Sequence, residues 1–318
     1  MLALALACGG SHPVTPDSRV DAGSNLAETV ETFASGQALP NSLAVATADV
    51  LWVDLGPGGR VMACPQGSSC GSSTPPLVSG AGAARVVATD GTNAYWSDGS
   101  AVRSCAIASC AALTVATDVV TVSALAIAGE TAYWGGYSGS ADTGTVSSCP
   151  IEGCAMPTHL ADSASAVYAI ATDTSNVYWS TSTQILSCPL AGCGSGSAAV
   201  LASDSDIYSF VVDDSTLFWV SGVAAPGGAV RACALPGCGT PVTLATGEDE
   251  PFGLATDPTS VYWTAFASGE IRSCPKAAMG CTPTTLAGGI TAPTSIATGS
   301  ASVYFITGSG AIDEVARP

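Results

Sequence analysis

The apolar residues of this chain fall in short runs broken by glycine, serine, asparagine and aspartate, and the unit from Ala166 to Asp204 shows the pattern most clearly. Tyr168-Ala169-Ile170-Ala171-Thr172-Asp173 reads as one strand and Thr174-Ser175-Asn176 as a turn. Val177-Tyr178-Trp179-Ser180 then gives a second strand, Gln184-Ile185-Leu186-Ser187-Cys188 a third and Ala198-Ala199-Val200-Leu201-Ala202 a fourth. Turn residues stand at each junction, as strand hairpins require. The runs are apolar on both alternations, which fits strands covered on both faces.

The unit recurs along the chain. The aromatic of the second strand is Trp52, Trp96, Trp134, Trp179, Trp219, Trp263 and Phe305 in turn, at spacings of 38 to 45 residues, and this uses every tryptophan present. Six cysteine pairs keep step with it: Cys64 with Cys70, Cys105 with Cys110, Cys149 with Cys154, Cys188 with Cys193, Cys233 with Cys238 and Cys274 with Cys281. Their leading members are 39 to 45 residues apart. Four short strands per repeat at such a period predict an all-β β-propeller with one four-stranded antiparallel blade per repeat. The two ends are incomplete in complementary ways. The run Glu28 to Ala34 reads as a lone fourth strand, whereas the last unit has three strands, ending in Ala311 to Val315, and no fourth. Pairing the N-terminal strand with the C-terminal blade gives seven blades and removes the open edges. It also accounts for the missing cysteine pair of the seventh unit, whose third and fourth strands are not joined by a hairpin.

Within this frame most residues have structural roles. Eight positions before each aromatic marker stand Ala44, Ala88, Ala126, Ala171, Val211, Ala255 and Ala297, small enough for the strands that converge on the axis. Side chains of a strand alternate between faces, so Val177 and Trp179 are expected toward one neighbouring blade and Tyr178 toward the other. The aspartates that close the first strand, Asp90, Asp173, Asp213 and Asp257, suit Asx-type turns. Arg103, Arg231 and Arg272 share a position two before a cysteine and read as surface residues of the third strand.

The motif Ala-Thr-Asp followed by Tyr-Trp-Ser or Tyr-Trp-Thr, as in Ala171 to Asp173 with Tyr178 to Ser180 and Ala255 to Asp257 with Tyr262 to Thr264, resembles the YWTD class of β-propeller repeats. It is more similar still to bacterial lipoprotein propellers of that style. The resemblance spans residues 27 to 318 and implies the propeller fold; of the units named, only Tyr95-Trp96-Ser97-Asp98 retains the acid that ends the motif.

Cysteine usage bears on compartment. The thirteen cysteines divide into the six local pairs and Cys8. Local pairs lacking the two-residue knuckle spacing, in a chain whose only histidines are His12 and His159, point to disulfides and an oxidising compartment rather than to zinc. Each bridge is expected to staple its own hairpin individually. Residues 1 to 7 are wholly apolar and lead into Cys8-Gly9-Gly10, which resembles the end of a bacterial lipoprotein signal peptide, with Cys8 as the lipidated residue. Residues 1–8 are therefore read as the remnant of such a signal, its beginning upstream of the given chain, residues 9–26 as a flexible Gly/Ser/Asp/Pro tether, and residues 27–318 as the propeller. After residue 8 no apolar run approaches the ~18 residues of a spanning helix.

Net charge is −17 with eight Lys plus Arg, which argues against nucleic acid and anionic lipid surfaces as partners. In a propeller the fourth-to-first and second-to-third loops gather on one face, and the interval from aromatic marker to first cysteine, 9 to 15 residues, places the length variation in the second-to-third loops. That face should carry Asp118, Asp162, Asp204, Asp206, Glu248, Asp249 and Glu250. No catalytic constellation emerges. Neither histidine has a nucleophile partner, and the Gly-x-Ser-x-Gly match at Gly67 to Gly71 lies in a cysteine-flanked hairpin rather than a strand-to-helix elbow. The reading is a monomeric, non-catalytic, extracytoplasmic binding or scaffolding module, tethered by lipid and meeting a protein or glycan through the acidic loop face. It requires no cofactor, with Ca²⁺ the metal that the acidic loops would suit. The alternative is a carbohydrate-active enzyme, a glycoside hydrolase or lyase, working through loop-face carboxylates.

Overall fold

In a computed structural model that describes residues 29–117, 119, 121–137, 143–194, 196–213, 215–222, 227–277 and 280–318, the chain forms seven four-stranded antiparallel sheets arranged as a ring. The N-terminal strand β1 is Glu31–Ala34. Blade 1 contains β2 (Pro40–Val45), β3 (Asp49–Asp54), β4 (Arg60–Pro65) and β5 (Val78–Ser79). Blade 2 contains β6 (Val87–Thr89), β7 (Asn93–Ser97), β8 (Ala101–Ala106) and β9 (Leu113–Thr117), and blade 3 contains β10 (Thr121–Ala128), β11 (Thr131–Tyr137), β12 (Gly144–Pro150) and β13 (Thr158–Ser163). Blade 4 is β14 (Ala169–Thr172), β15 (Asn176–Ser180), β16 (Gln184–Pro189) and β17 (Ala199–Ser203). Blade 5 is β18 (Phe210–Asp213), β19 (Thr216–Ser221), β20 (Gly228–Ala234) and β21 (Val242–Glu248). Blade 6 is β22 (Pro251–Thr256), β23 (Ser260–Ala265), β24 (Glu270–Pro275) and β25 (Thr284–Ala287). Blade 7 is β26 (Ile296–Thr298), β27 (Ser302–Ile306), β28 (Ile312–Ala316) and, from the other end of the chain, β1.

The expected closure is present. β1 pairs antiparallel with β28 in the register Glu31 to Glu314, Thr32 to Asp313 and Ala34 to Ile312, so the seventh blade takes its outer strand from the N-terminal side. First strands of successive blades lie against one another all the way round, β26 meeting β2 at the seam. In most blades the small residue of the first strand faces the aromatic that precedes the marker on the second strand, as in Ala88 to Tyr95, Ala171 to Tyr178 and Ala255 to Tyr262, whereas in blade 1 Ala44 faces Leu51.

Each pair of adjacent blades has its own apolar core. Val177 and Trp179 pack with Ala124, Tyr133 and Val146 of blade 3, while Tyr178 on the opposite face packs with Leu217 and Trp219 of blade 5, as strand alternation requires. All six tryptophans are buried in such layers. At the seam Phe33 of β1 meets Tyr304 edge-on at 4.8 Å and Trp52 at 6.5 Å.

The end of the ring opposite the loop face is organised by aspartate turns and disulfides. Asp90, Asp173 and Asp257 each accept two backbone amides of their own turn and the phenol hydroxyl of Tyr95, Tyr178 or Tyr262 at 2.5–2.8 Å. Blade 5 has Phe218 in place of that tyrosine, and Asp213 instead pairs with Lys276 of blade 6.

The six expected disulfides form: Cys64 to Cys70, Cys105 to Cys110, Cys149 to Cys154, Cys188 to Cys193, Cys233 to Cys238 and Cys274 to Cys281. Each crosses the turn between third and fourth strands, with Cα separations of 4.9–6.2 Å. Each bridge staples its own hairpin, as expected, and several of their loops also grip the neighbouring blade. The amides of Cys70, Cys154 and Cys193 donate to the carbonyls of Phe33, Val115 and Leu160 on the outer strand of the preceding blade, at 2.8–3.1 Å. Cys238 and Cys281 differ from these three. The Cys238 amide turns back to Ala234 O of its own loop at 2.9 Å, at a left-handed φ of 51°, and its side chain is buried in the core between blades 4 and 5. At Cys281, half-buried against the core between blades 5 and 6, the preceding residue makes the reach: Gly280 N donates to Thr243 O of β21 at 3.2 Å.

Candidate functional site

First strands run away from the loop face, so their opening residues ring the axis at its mouth. A cavity of about 350 Å³ opens there, and it is lined by residues from every one of the seven blades. Two larger clefts, of about 520 and 540 Å³, are built differently: each lies at the boundary of two neighbouring blades, 5 with 6 and 3 with 4. The axial cavity has the size of a small-ligand site and the position where propeller loops converge.

Three of its residues form a continuous aromatic arc. Tyr168, Tyr208 and Phe252 stand three positions before the small residue of the first strand in blades 4, 5 and 6. Tyr168 meets Tyr208 edge-on with centroids 5.2 Å apart, and Tyr208 stacks on Phe252 at 6.1 Å with an interplanar angle of 18°. These contacts close the tops of two blade seams, yet Tyr168 and Phe252 remain 42% and 38% exposed. Burial, the neighbouring Tyr168 and the charge of Asp206 raise the Tyr208 hydroxyl above the usual phenol range. Phe252 is held close to the wall because Gly253 follows it: a Cβ at Gly253 would lie 2.3 Å from the Thr294 carbonyl oxygen of blade 7. The Gly253 amide donates to Thr264 Oγ1, which donates in turn to Thr294 O, tying blades 6 and 7 at the mouth.

The opposite arc is polar. The same repeat position carries Asn41 in blade 1, Arg85 in blade 2 and Ser123 in blade 3. Asn41 Nδ2 donates to the Arg85 carbonyl at 2.6 Å, and Ser123 Oγ donates to Val167 O across the boundary of blades 3 and 4. Ser42 Oγ accepts from the Val87 amide and Ser295 Oγ from the Leu43 amide, both at 3.2 Å. Each of these clips joins two blades.

The acids expected on the loop face are placed as follows. Asp162 is exposed near the end of β13 with His159 Nε2 at 3.2 Å. Asp204 accepts from Trp219 Nε1 at 3.2 Å and pairs with Arg231 Nε at 2.9 Å. Glu248 is buried, accepting from Trp263 Nε1 at 2.6 Å and from Arg272 Nη1 at 3.0 Å. Burial raises the Glu248 carboxyl, and the indole and guanidinium offset this only in part. Asp206 and Glu250 hold left-handed backbone, φ 54° and 51°, two residues before Tyr208 and Phe252, and Asp249 is exposed beside them. None of these six lines the axial cavity. Asp118 and Cys8 lie outside the described residues, as does the tether 9–26. Arg103, Arg231 and Arg272 are more than surface residues: each is partly buried and pairs with a carboxylate, Asp98, Asp204 or Glu248. Among the described residues no group of three His, Cys, Asp or Glu is placed to hold a metal.

Sequence reasoning did not single out the aromatic arc. The repeat alignment contains its position, but the residue there runs Asn41, Arg85, Ser123, Tyr168, Tyr208, Phe252 and Thr294, so no type shared by all the blades draws attention to it.

No family model and no curated protein matches this sequence. Solved structures do. Virginiamycin B lyase from Staphylococcus aureus is similar over 91% of this chain and 99% of its own, with a TM-score of 0.66 at 9% identity. The computationally designed Ika8 protein is similar over 90% of this chain and 100% of its own, with a TM-score of 0.62 at 12% identity. A chain of a nidogen/laminin complex is similar over 65% of this chain and 82% of its own, with a TM-score of 0.52 at 16% identity. At these identities the likeness is one of fold, and the chain is a seven-bladed β-propeller.

Proposed function

We propose that this protein is a non-catalytic extracytoplasmic binding module whose ligand seats in the axial mouth of the loop face. The observation that carries the reading is the arc of Tyr168, Tyr208 and Phe252, partly exposed in a cavity to which all seven blades contribute. Exposed aromatic rings at the centre of a concave site supply large contact area with little conformational entropy to lose. The six disulfides support an oxidising, non-cytoplasmic environment. The sequence around Cys8 supports attachment to an envelope membrane by lipid, with a protein or glycan of that compartment as partner. Carboxylate-based glycan cleavage gains no support at the mouth, whose described lining carries no carboxyl group.

The test is quantitative capture of glycan-array and envelope-protein ligands by the oxidised chain and by Tyr208→Ala and Phe252→Ala. Each variant is expected to weaken the captured ligand by about tenfold, the loss of one aromatic contact. Undiminished capture by both variants would move the site away from the axis.

A further inference from the structure

Resting on the axial mouth as the binding site, we infer that its ligand is an acidic saccharide: a sugar ring bearing one carboxylate, its face laid on the aromatic arc and its carboxylate held by Arg85. The cation count carries the first step. Among the described residues, Arg60, Arg103, Arg231, Arg272, Lys276 and Arg317 are each ion-paired with an aspartate or glutamate. Arg85 is the one described cation without such a pair, and it is exposed at the cavity. In a chain of net charge −17, acids capable of neutralising it are abundant, yet no described one is paired with it.

Two hydroxyl groups of the same cavity carry the second step. Ser42 Oγ and Ser295 Oγ already accept a backbone amide from the adjacent blade, so their protons are directed elsewhere, and both line the cavity. This side of the cavity therefore carries Arg85, whose guanidinium has no ion pair to satisfy it, and two hydroxyls whose protons the amide bonds leave unused, a set of donor groups that suits an oxyanion. The wall across from it is an aromatic platform whose tyrosines end in hydroxyl groups. That combination suits a ring with one apolar face and a hydroxylated edge better than a wholly apolar acid.

The field of the whole molecule decides between one carboxylate and many. Asp206, Asp249 and Glu250 stand on the loops that lead into the arc, and the total charge repels an approaching polyanion. A single carboxylate placed directly against Arg85 is attracted at short range, whereas charges farther out meet net repulsion within the ~8 Å screening length of physiological salt.

Isothermal titration calorimetry of the full oxidised chain at fixed ionic strength tests this with glucuronate, a glucuronate-terminated disaccharide, and glucose and the matching neutral disaccharide as counterparts. The acidic sugars are expected to bind at least about tenfold more tightly than the neutral ones, the contribution of a charge-assisted hydrogen-bond pair. The disaccharide should exceed the monosaccharide if the ligand is a glycan terminus and equal it if the ligand is a free sugar acid. Arg85→Gln, at an exposed site with no ion pair to lose, should bring the acidic and neutral affinities to within about twofold of each other, and Tyr208→Ala should weaken both. Equal affinity for acidic and neutral sugars in the wild type, with both lost in Tyr208→Ala, would overturn the carboxylate assignment and leave the axial site standing. Preference for acidic sugars that survives Arg85→Gln would overturn it as well. So would failure of every sugar to bind, in which case the axial site rests on the capture experiment alone.

Discussion

A phenol and a carboxylate five residues apart recur at one end of the ring, and their chemistry is set by what surrounds them. Burial works against the charge of Asp257, but the Tyr262 hydroxyl and the amides of Thr259 and Ser260 outweigh it and hold the carboxyl at about 2. Asp90 and Asp173 are lowered by the same kind of opposed effects, and burial followed by the hydrogen bond to the aspartate pushes Tyr178 and Tyr262 up to about 12. A carboxylate lowered on folding contributes stability above its unfolded value of 3.8, and the contribution disappears as pH falls from there toward 2. The melting temperature should therefore drop steeply between about pH 4 and pH 2, and Asp257→Asn should flatten that drop while lowering the plateau at neutral pH. An unchanged slope in the variant would remove the turn from the account. Tyr178→Phe deletes a bond to a charged acceptor and is expected to cost about 1.5 kcal/mol, measured by urea titration. Blade 5 shows the natural counterpart, where Phe218 leaves Asp213 to find Lys276.

At the scale of the element, the disulfide loops do two things that their spacing reveals only in part. Closing a loop of five to seven residues contributes about 2 kcal/mol by chain entropy, and that much follows from cysteine positions alone. The second contribution, an amide from the stapled loop to the neighbouring blade, depends on which carbonyl faces it, which is why Cys238 lacks it and Cys281 leaves it to Gly280. The loop closed by Cys64 and Cys70 holds β1 in this way, through Cys70 N to Phe33 O at 2.8 Å and Ser35 N to Cys70 O at 3.0 Å, whereas no such bond is seen from Cys110 among the described residues. Replacing Cys64 and Cys70 by serine should consequently lower the melting temperature more than the same change at Cys105 and Cys110, and equal losses would reduce both staples to local loop closure. Mass spectrometry of the unreduced protein should find every pair on a single peptide. The strands, their order and the face taken by each tryptophan were legible because one pattern of residues recurs in all seven units. The fate of Asp204 and Glu248 was not: their indole partners lie fifteen residues on and their arginines lie twenty-four or more, so a linear reading sees loop acids where the fold makes partly buried ion pairs. The axial site was hidden for a different reason, being assembled from a few residues of every blade at positions where no single residue type recurs in all seven.

At the scale of the whole molecule the ring depends on a short noncovalent join. Phe33 fills the space between Trp52 and Tyr304, and Gln66 Oε1 of blade 1 accepts from the amide and hydroxyl of Ser300 in blade 7 at 2.9 and 3.0 Å. Phe33→Ala should cost about 3–5 kcal/mol, as for other buried aromatics, and removing residues 1–34 should leave β28 as an open edge that pairs between molecules. Light scattering reports the second effect; a truncated chain that stays monomeric with an unchanged melting temperature would show that β1 is dispensable. The same join also fixes direction. β1 is a fourth strand and runs toward the loop face, and β28 is a third strand and runs away from it, so the chain enters β1 and leaves β28 on the side opposite the axial mouth. Immobilised just beyond β28, on a sensor chip or fused to a display scaffold, the molecule keeps its aromatic arc turned outward, and no engineered spacer is needed to orient it.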